Sequence, residues 1–180
     1  MFRAIQSRLP DFKDILPVYA VLVFFLFGWA TVAFFWKLPA WLFYLNLEEV
    51  GVIYSYAAVT EFFESLIYLF ILLVIAAILP AQLLKNRFQI RGTISALFIL
   101  GFIELTSYFI AFRELTPIVS ALTALLICGV LEAGLFWLSS KYVFFDQAVR
   151  FAVDRLIIFL YVYLPIAGIA FILVSIRIAG

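Results

Sequence analysis

Apolar residues run through this chain in stretches of about 20, with short polar clusters between them. A stretch of that length crosses the hydrocarbon core of a bilayer as one α-helix. The first run is Pro17–Leu38, opened by a proline that suits a first helical turn and closed by Pro39. It is too long for a secretory signal and no A-x-A site follows it, so it reads as a retained span. Runs at 61–84, 93–112, 118–140 and 156–176 bring the number to five. The linker "RELTP" is so short that the third and fourth spans must form an antiparallel hairpin. Pro165 and Gly168 are expected to bend the last helix.

Two segments break the pattern. Residues 40–60 are aromatic-rich but carry Asn46, Glu48, Glu49 and Gly51, and read as an outer interfacial or re-entrant piece leading into the second span. Residues 141–155, "KYVFFDQAVRFAVDR", place Asp146, Arg150 and Asp154 on one stripe at four-residue spacing, with apolar side chains on the other faces. That pattern predicts an amphipathic helix on the inner leaflet, or a docking surface for a partner on that side. With no fixed-period repeat and no long polar segment, residues 1–180 read as a single membrane domain. The expected fold is all-α: a polytopic integral membrane bundle of about five transmembrane helices, with one interfacial amphipathic helix before the last.

Lys and Arg in short loops set the orientation. With the N-terminus inside, Arg3, Arg8, Lys13, Lys85, Arg87, Arg91, Lys141, Arg150 and Arg155 fall on the inner side, and Lys37, Arg113 and Arg177 on the outer. The reverse arrangement puts the majority outside, so the expectation is N-in, C-out, in a plasma or inner membrane. A sixth crossing through 40–60 would scramble the bias. Trp36 and Trp41 then lie at the outer interface and Trp137 near the inner one, where indole rings are favoured.

Composition agrees and narrows the chemistry. The chain is 68% hydrophobic and 13% charged, against about half and a quarter in soluble domains, so its main solvent is lipid. A net charge of +1 gives no general field for nucleic acid. Histidine is absent, which excludes His-ligated haem, His-based zinc sites and a Ser-His-Asp triad within this chain. The lone Cys128 sits in an apolar run and reads as a small buried hydrophobe. No P-loop, GxGxxG, HExxH or GxSxG motif occurs, so a membrane enzyme built on Glu, Tyr and Ser alone has no positive support and comes last among the readings, and no cofactor or metal site is expected.

The residues that stand out are acids inside apolar runs. Glu104 is central in "FILGFIELTSYFI", and Glu132 lies deep in the next span. An ionised acid at the bilayer centre costs about 2.5–3.5 kcal/mol on insertion scales, so such a group is neutralised, paired or facing a polar cavity. Taking Leu115 as the hairpin midpoint offsets the two acids by about 9 Å along the axis, too far for a direct bond, though one cavity could hold both. The same arithmetic sets Gly101 opposite Gly129 and Ser107 opposite Thr123, a close small-residue contact that would bury Glu104 in protein. Glu61 and Glu64 share a helix face with Tyr68. Placed at the start of the second span, they form an outer acidic vestibule with Glu48 and Glu49, where a solvated helix start accounts for them. Lys85, Arg87 and Arg91 make an inner basic turn suited to lipid head groups, although the positive-inside bias alone explains it.

Two functions fit. One is a non-enzymatic subunit or scaffold of a larger membrane assembly, packed against lipid and other membrane chains. The other is a small transporter or channel component that binds a proton or cation at intramembrane carboxylates. A polar cavity reaching Glu104 or Glu132 favours the second, and dry packing around both favours the first.

Overall fold

A computed structural model describes residues 10–79, 87–113 and 115–179. The described residues form five helices: α1 (Phe12–Trp41), α2 (Leu47–Ile78), α3 (Phe88–Arg113), α4 (Pro117–Lys141) and α5 (Val143–Ala179). Each is long and apolar enough to cross a membrane, so the chain is a membrane helical bundle. All five predicted spans are present, but three boundaries differ from the expected ones.

Helix α1 starts at Phe12, after Asp11, so Pro17 lies inside the helix and not in its first turn; Pro39 is also inside. Apolar helices tolerate interior prolines where neighbouring groups satisfy the freed carbonyls. Residues 47–60 are the first half of α2, continuous with the span they lead into. The reason is local. Asn46 accepts from the Glu49 N–H, and the Glu49 carboxylate accepts from the Asn46 N–H, both at 2.9 Å, which closes a capping box at the helix start. Ser55 and Thr60 then donate to the Gly51 and Tyr56 carbonyls at 2.9 Å, so the polar side chains of this stretch are satisfied within the helix. At 32 residues α2 is about 48 Å long, well beyond a hydrocarbon core.

Residues 143–155 likewise do not form a helix of their own. They are the first part of α5, which continues unbroken through Pro165 and Gly168 for 37 residues.

Helices α1, α2 and α5 form the main body. Tyr19, Val23 and Phe27 of α1 pack with Ala58 of α2 and Leu160 and Ala167 of α5. Edge-on rings reinforce it, Phe24 against Phe159 at 4.7 Å and Phe34 against Tyr54 at 4.8 Å between centroids. Such pairs contribute about 0.5–1.5 kcal/mol each beyond the area they bury. Hydroxyl pairs tie α1 to α2: Tyr19 with Ser65 at 3.2 Å and Thr31 with Tyr54 at 3.3 Å. Interhelical bonds of this kind average about 0.6 kcal/mol in membranes, so they align the helices more than they hold them.

Helix α3 joins this body only by its first half. Phe88 and Ala96 pack with Val18 and Leu22 of α1 and Leu72 and Ala76 of α2. Residues 88–90 and 92–96 are all buried; beyond Ala96 no described α3 residue is. Helix α4 pairs extensively with α3 and meets α5 only slightly. The far half of the α3–α4 hairpin therefore leans away from the body and leaves a wedge between α3 and the α1–α2 pair.

Candidate functional site

The wedge holds a partly enclosed pocket of about 560 Å³. Phe25, Leu26 and Trp29 of α1 form one wall, Leu97, Leu100 and Gly101 of α3 another. Its polar lining is Glu61, Glu64 and Tyr68 from α2 and Glu104 from α3. Glu61 and Glu64 straddle the middle of the 32-residue α2, so they belong to no vestibule at its start. Glu48 and Glu49 do lie at that start, exposed, with Glu49 committed to the capping box. The predicted acidic vestibule is thus two separate groups. The helix starts at Leu47, about half its length before Glu61, which puts this pair at its middle.

The three carboxylates share chemistry as well as space. None has a hydrogen-bond or ion-pair partner among the described residues, and no Lys or Arg lines the pocket. Tyr68 lines the same volume. They do not converge tightly enough to form a metal-ligating cluster among the described residues. The pocket thus gathers three acids and no base among the described residues.

Glu104 departs from expectation in one respect. It is exposed at the wedge and not enclosed between α3 and α4. The seam is filled instead by the buried Ser120, Ala124 and Cys128 stripe of α4. A Cβ on Gly101 would meet the Cys128 Sγ at 3.7 Å, ordinary contact and one residue from the expected partner, while one on Gly129 would meet nothing within 4 Å. The register is close to that derived from the sequence, but the glycine pair is not where the helices touch most closely. Ser107 is exposed, and Thr123 donates to its own helix at the Val119 carbonyl, so these two do not bridge the hairpin.

Glu132 is half-buried and accepts from the Ser95 Oγ at 2.7 Å. The pockets it lines, with Phe98, Gly129 and Phe136 on one side and Cys128 and Leu135 on the other, do not include Glu104. The two acids singled out in the sequence therefore have different surroundings: one is partnered across the hairpin, the other opens onto a cavity with two further acids.

At the base of the bundle, where α3 and α5 start and α4 ends, the basic turn is used internally. Arg87 donates to Asp146 at 3.0 Å and to the Ser139 carbonyl at 3.1 Å. Arg91 bonds the Ser140 hydroxyl at 3.4 Å and lies over the Phe136 ring. Lys85 lies outside the described residues. The stripe of Asp146, Arg150 and Asp154 reaches across to α3 and does not pair along its own helix. Gln89, which the sequence reading passed over, is buried between them: Arg150 donates to its Oε1 at 3.1 Å and its Nε2 donates to Asp154 at 2.6 Å. An amide offers both a donor and an acceptor, so it can satisfy a cation and an anion together. A glutamine flanked by arginines next to an apolar run was the available signal.

No known family, curated protein or solved structure matches this chain. The fold defines a class, a helical membrane bundle with five apolar helices, and the particular function rests on the pocket.

Proposed function

We propose that this chain is a small transporter or channel component that takes up a cation, in the simplest case a proton, at Glu61, Glu64 and Glu104. One observation carries the reading: three acids from two helices line one cavity at mid-helix with no basic residue beside them. Acids inside a membrane span are functional-site candidates because their insertion is costly, and here three share that cost in one place. The spacing of the carboxylates suits proton exchange or a hydrated or organic cation better than tight ligation of a bare metal ion. The test is reconstitution into liposomes carrying a pH-sensitive dye. A proton or cation flux above that of protein-free liposomes is expected, and none across common monovalent cations and protons would sink the reading.

The subunit reading has its own observation. Apolar side chains on the far half of the α3–α4 hairpin, such as Ile118, Leu122 and Leu126, are exposed. They fit lipid or another membrane chain equally. Purification in mild detergent before reconstitution separates the two: stoichiometric co-purification of a second membrane chain supports the subunit role.

The Lys and Arg distribution supports an N-in, C-out orientation in a plasma or inner membrane. A reporter placed after Gly180 is expected to read as external, and one inserted within 85–91 as internal. A cytoplasmic reading after Gly180 would reverse the orientation.

A further inference from the structure

The two halves of the α3–α4 hairpin differ in how they are held. At the base, the Arg87–Asp146 pair and the Arg150–Gln89–Asp154 bridge fasten it to α5, and the Arg87–Ser139 bond closes its own open end. Close packing of Gly92 on Val18 fastens it to α1. Beyond Gly101 no described residue of α3 is buried. Between these halves lies the wedge, with Glu104 on the hairpin side and Glu61 and Glu64 on the body side.

We propose that the α3–α4 hairpin is an arm that pivots on its latched base and closes over the pocket when the three carboxylates are neutralised. The facing groups are few. From α1 come Phe25, Leu26 and Trp29, all uncharged; from α2, Glu61, Glu64 and Tyr68; from α3, Glu104 with Leu97, Leu100 and Ile103. Charged, the acids on the two sides of the wedge repel and retain water, which holds it open. With a proton or cation bound, the repulsion falls and apolar area on Leu97 and Ile103 can meet Phe25 and Trp29, which are both partly exposed. In a membrane the gain comes from packing and from removing charge, because lipid is as apolar as leucine. The device therefore links occupancy of the site to the shape of the bundle. It deepens the cation reading and rests on it for the identity of the neutralising species alone.

Distances between nitroxide labels test it on the full chain in lipid nanodiscs, in a Cys128→Ala background. Val32 on α1, Ile110 on α3 and Tyr56 on α2 are all exposed, so Val32→Cys with Ile110→Cys reports the arm, and Val32→Cys with Tyr56→Cys is the control within the body. Lowering the pH from 8 to 5 is expected to shorten the arm distance by several ångströms and to leave the control unchanged. Glu61→Gln, Glu64→Gln and Glu104→Gln together are expected to give the short distance at both pH values. An arm distance that is the same at both pH values in the wild-type carboxylates overturns the proposal, whether or not the triple variant folds. Flux measured on the same samples separates the two ideas. Flux with a static arm removes the arm and keeps the cation site, while a moving arm without flux does the opposite.

Discussion

Glu104→Gln is expected to reduce cation uptake in proteoliposomes at least tenfold while leaving the thermal stability of the purified protein unchanged. Glutamine keeps the length and shape of the side chain but can neither release a proton nor balance a cation. Glu104 makes no hydrogen bond and no ion pair among the described residues, and it is exposed at the wedge. Substitutions at such positions usually change stability by less than about 0.5 kcal/mol. For the same reason Glu104→Leu is expected to fold as well as the Gln variant. The sequence alone argues otherwise, since an acid buried between α3 and α4 would leave a partner unpaired when replaced by Leu. Glu132→Leu is the useful contrast. It removes the acceptor for Ser95, a bond of about 0.6 kcal/mol in membranes, so it acts on stability and not through the pocket. Wild-type uptake by Glu104→Gln would remove Glu104 from the site. Unfolding of Glu104→Leu with retention of the fold in Glu104→Gln would show that Glu104 has a structural acceptor role after all.

Much of this was legible in the sequence because lipid imposes simple rules. Five apolar runs of spanning length predict five helices, and each is present. The hairpin register came out one residue from observation at Gly101, because a short linker leaves little freedom in how two antiparallel helices align. The structure departs from the sequence pattern where polar residues lie inside a helix and not at its membrane boundary. Asn46 and Glu49 cap a helix, yet the stretch after them was set apart as interfacial, because its hydroxyls and acids lower apolarity without breaking the helix. The capping signature, Asn followed three residues later by Glu, was present and marks the true start. Starting α2 there moves Glu61 and Glu64 to its middle and turns two ordinary surface acids into part of a site. The pocket itself was not legible. It depends on α3 leaving the body after Ala96, and side-chain periodicity within a helix that is apolar on every face does not say which neighbour each face meets.

The base shows what the basic turn touches within the protein. Positive residues beside a span satisfy the topological rule whether they face head groups or protein, so their number fixes a side and not a partner. Here Arg87 is engaged by Ser139 of α4 and Asp146 of α5, and Arg150 by Gln89 of α3. Lys141, by contrast, lies 4.7 Å over the Trp137 ring, and Arg155 lies 4.6 Å over Phe151. Cations held over exposed aromatic rings fit an interfacial belt better than the arginines of the turn do.

Gly92→Leu is expected to be the most destabilising single substitution among the glycines, and Gly129→Leu close to neutral. A Cβ at Gly92 would lie 3.3 Å from two ring carbons of Phe88 and 3.3 Å from the Val18 Cγ2. Neither neighbour has room to retreat, since Val18 is fully buried and Phe88 is 1% exposed. Leucine adds three further carbons to that contact. Overpacking of this kind costs about 1–3 kcal/mol, sometimes more. By the scaling for soluble domains of this size, about 2–4 °C per kcal/mol, the melting temperature in detergent falls by several degrees. The strain is directed at the point where α3 meets α1, so the base of the hairpin loosens first. Gly129 sits on the same hairpin, but a Cβ there meets nothing within 4 Å, and the added side chain has the open pocket beside Glu132 to enter. Melting curves of both variants in one detergent decide the matter. Equal losses in the two would place the close contact along the α3–α4 seam, and no loss in Gly92→Leu would show that the hairpin base is not packed against α1.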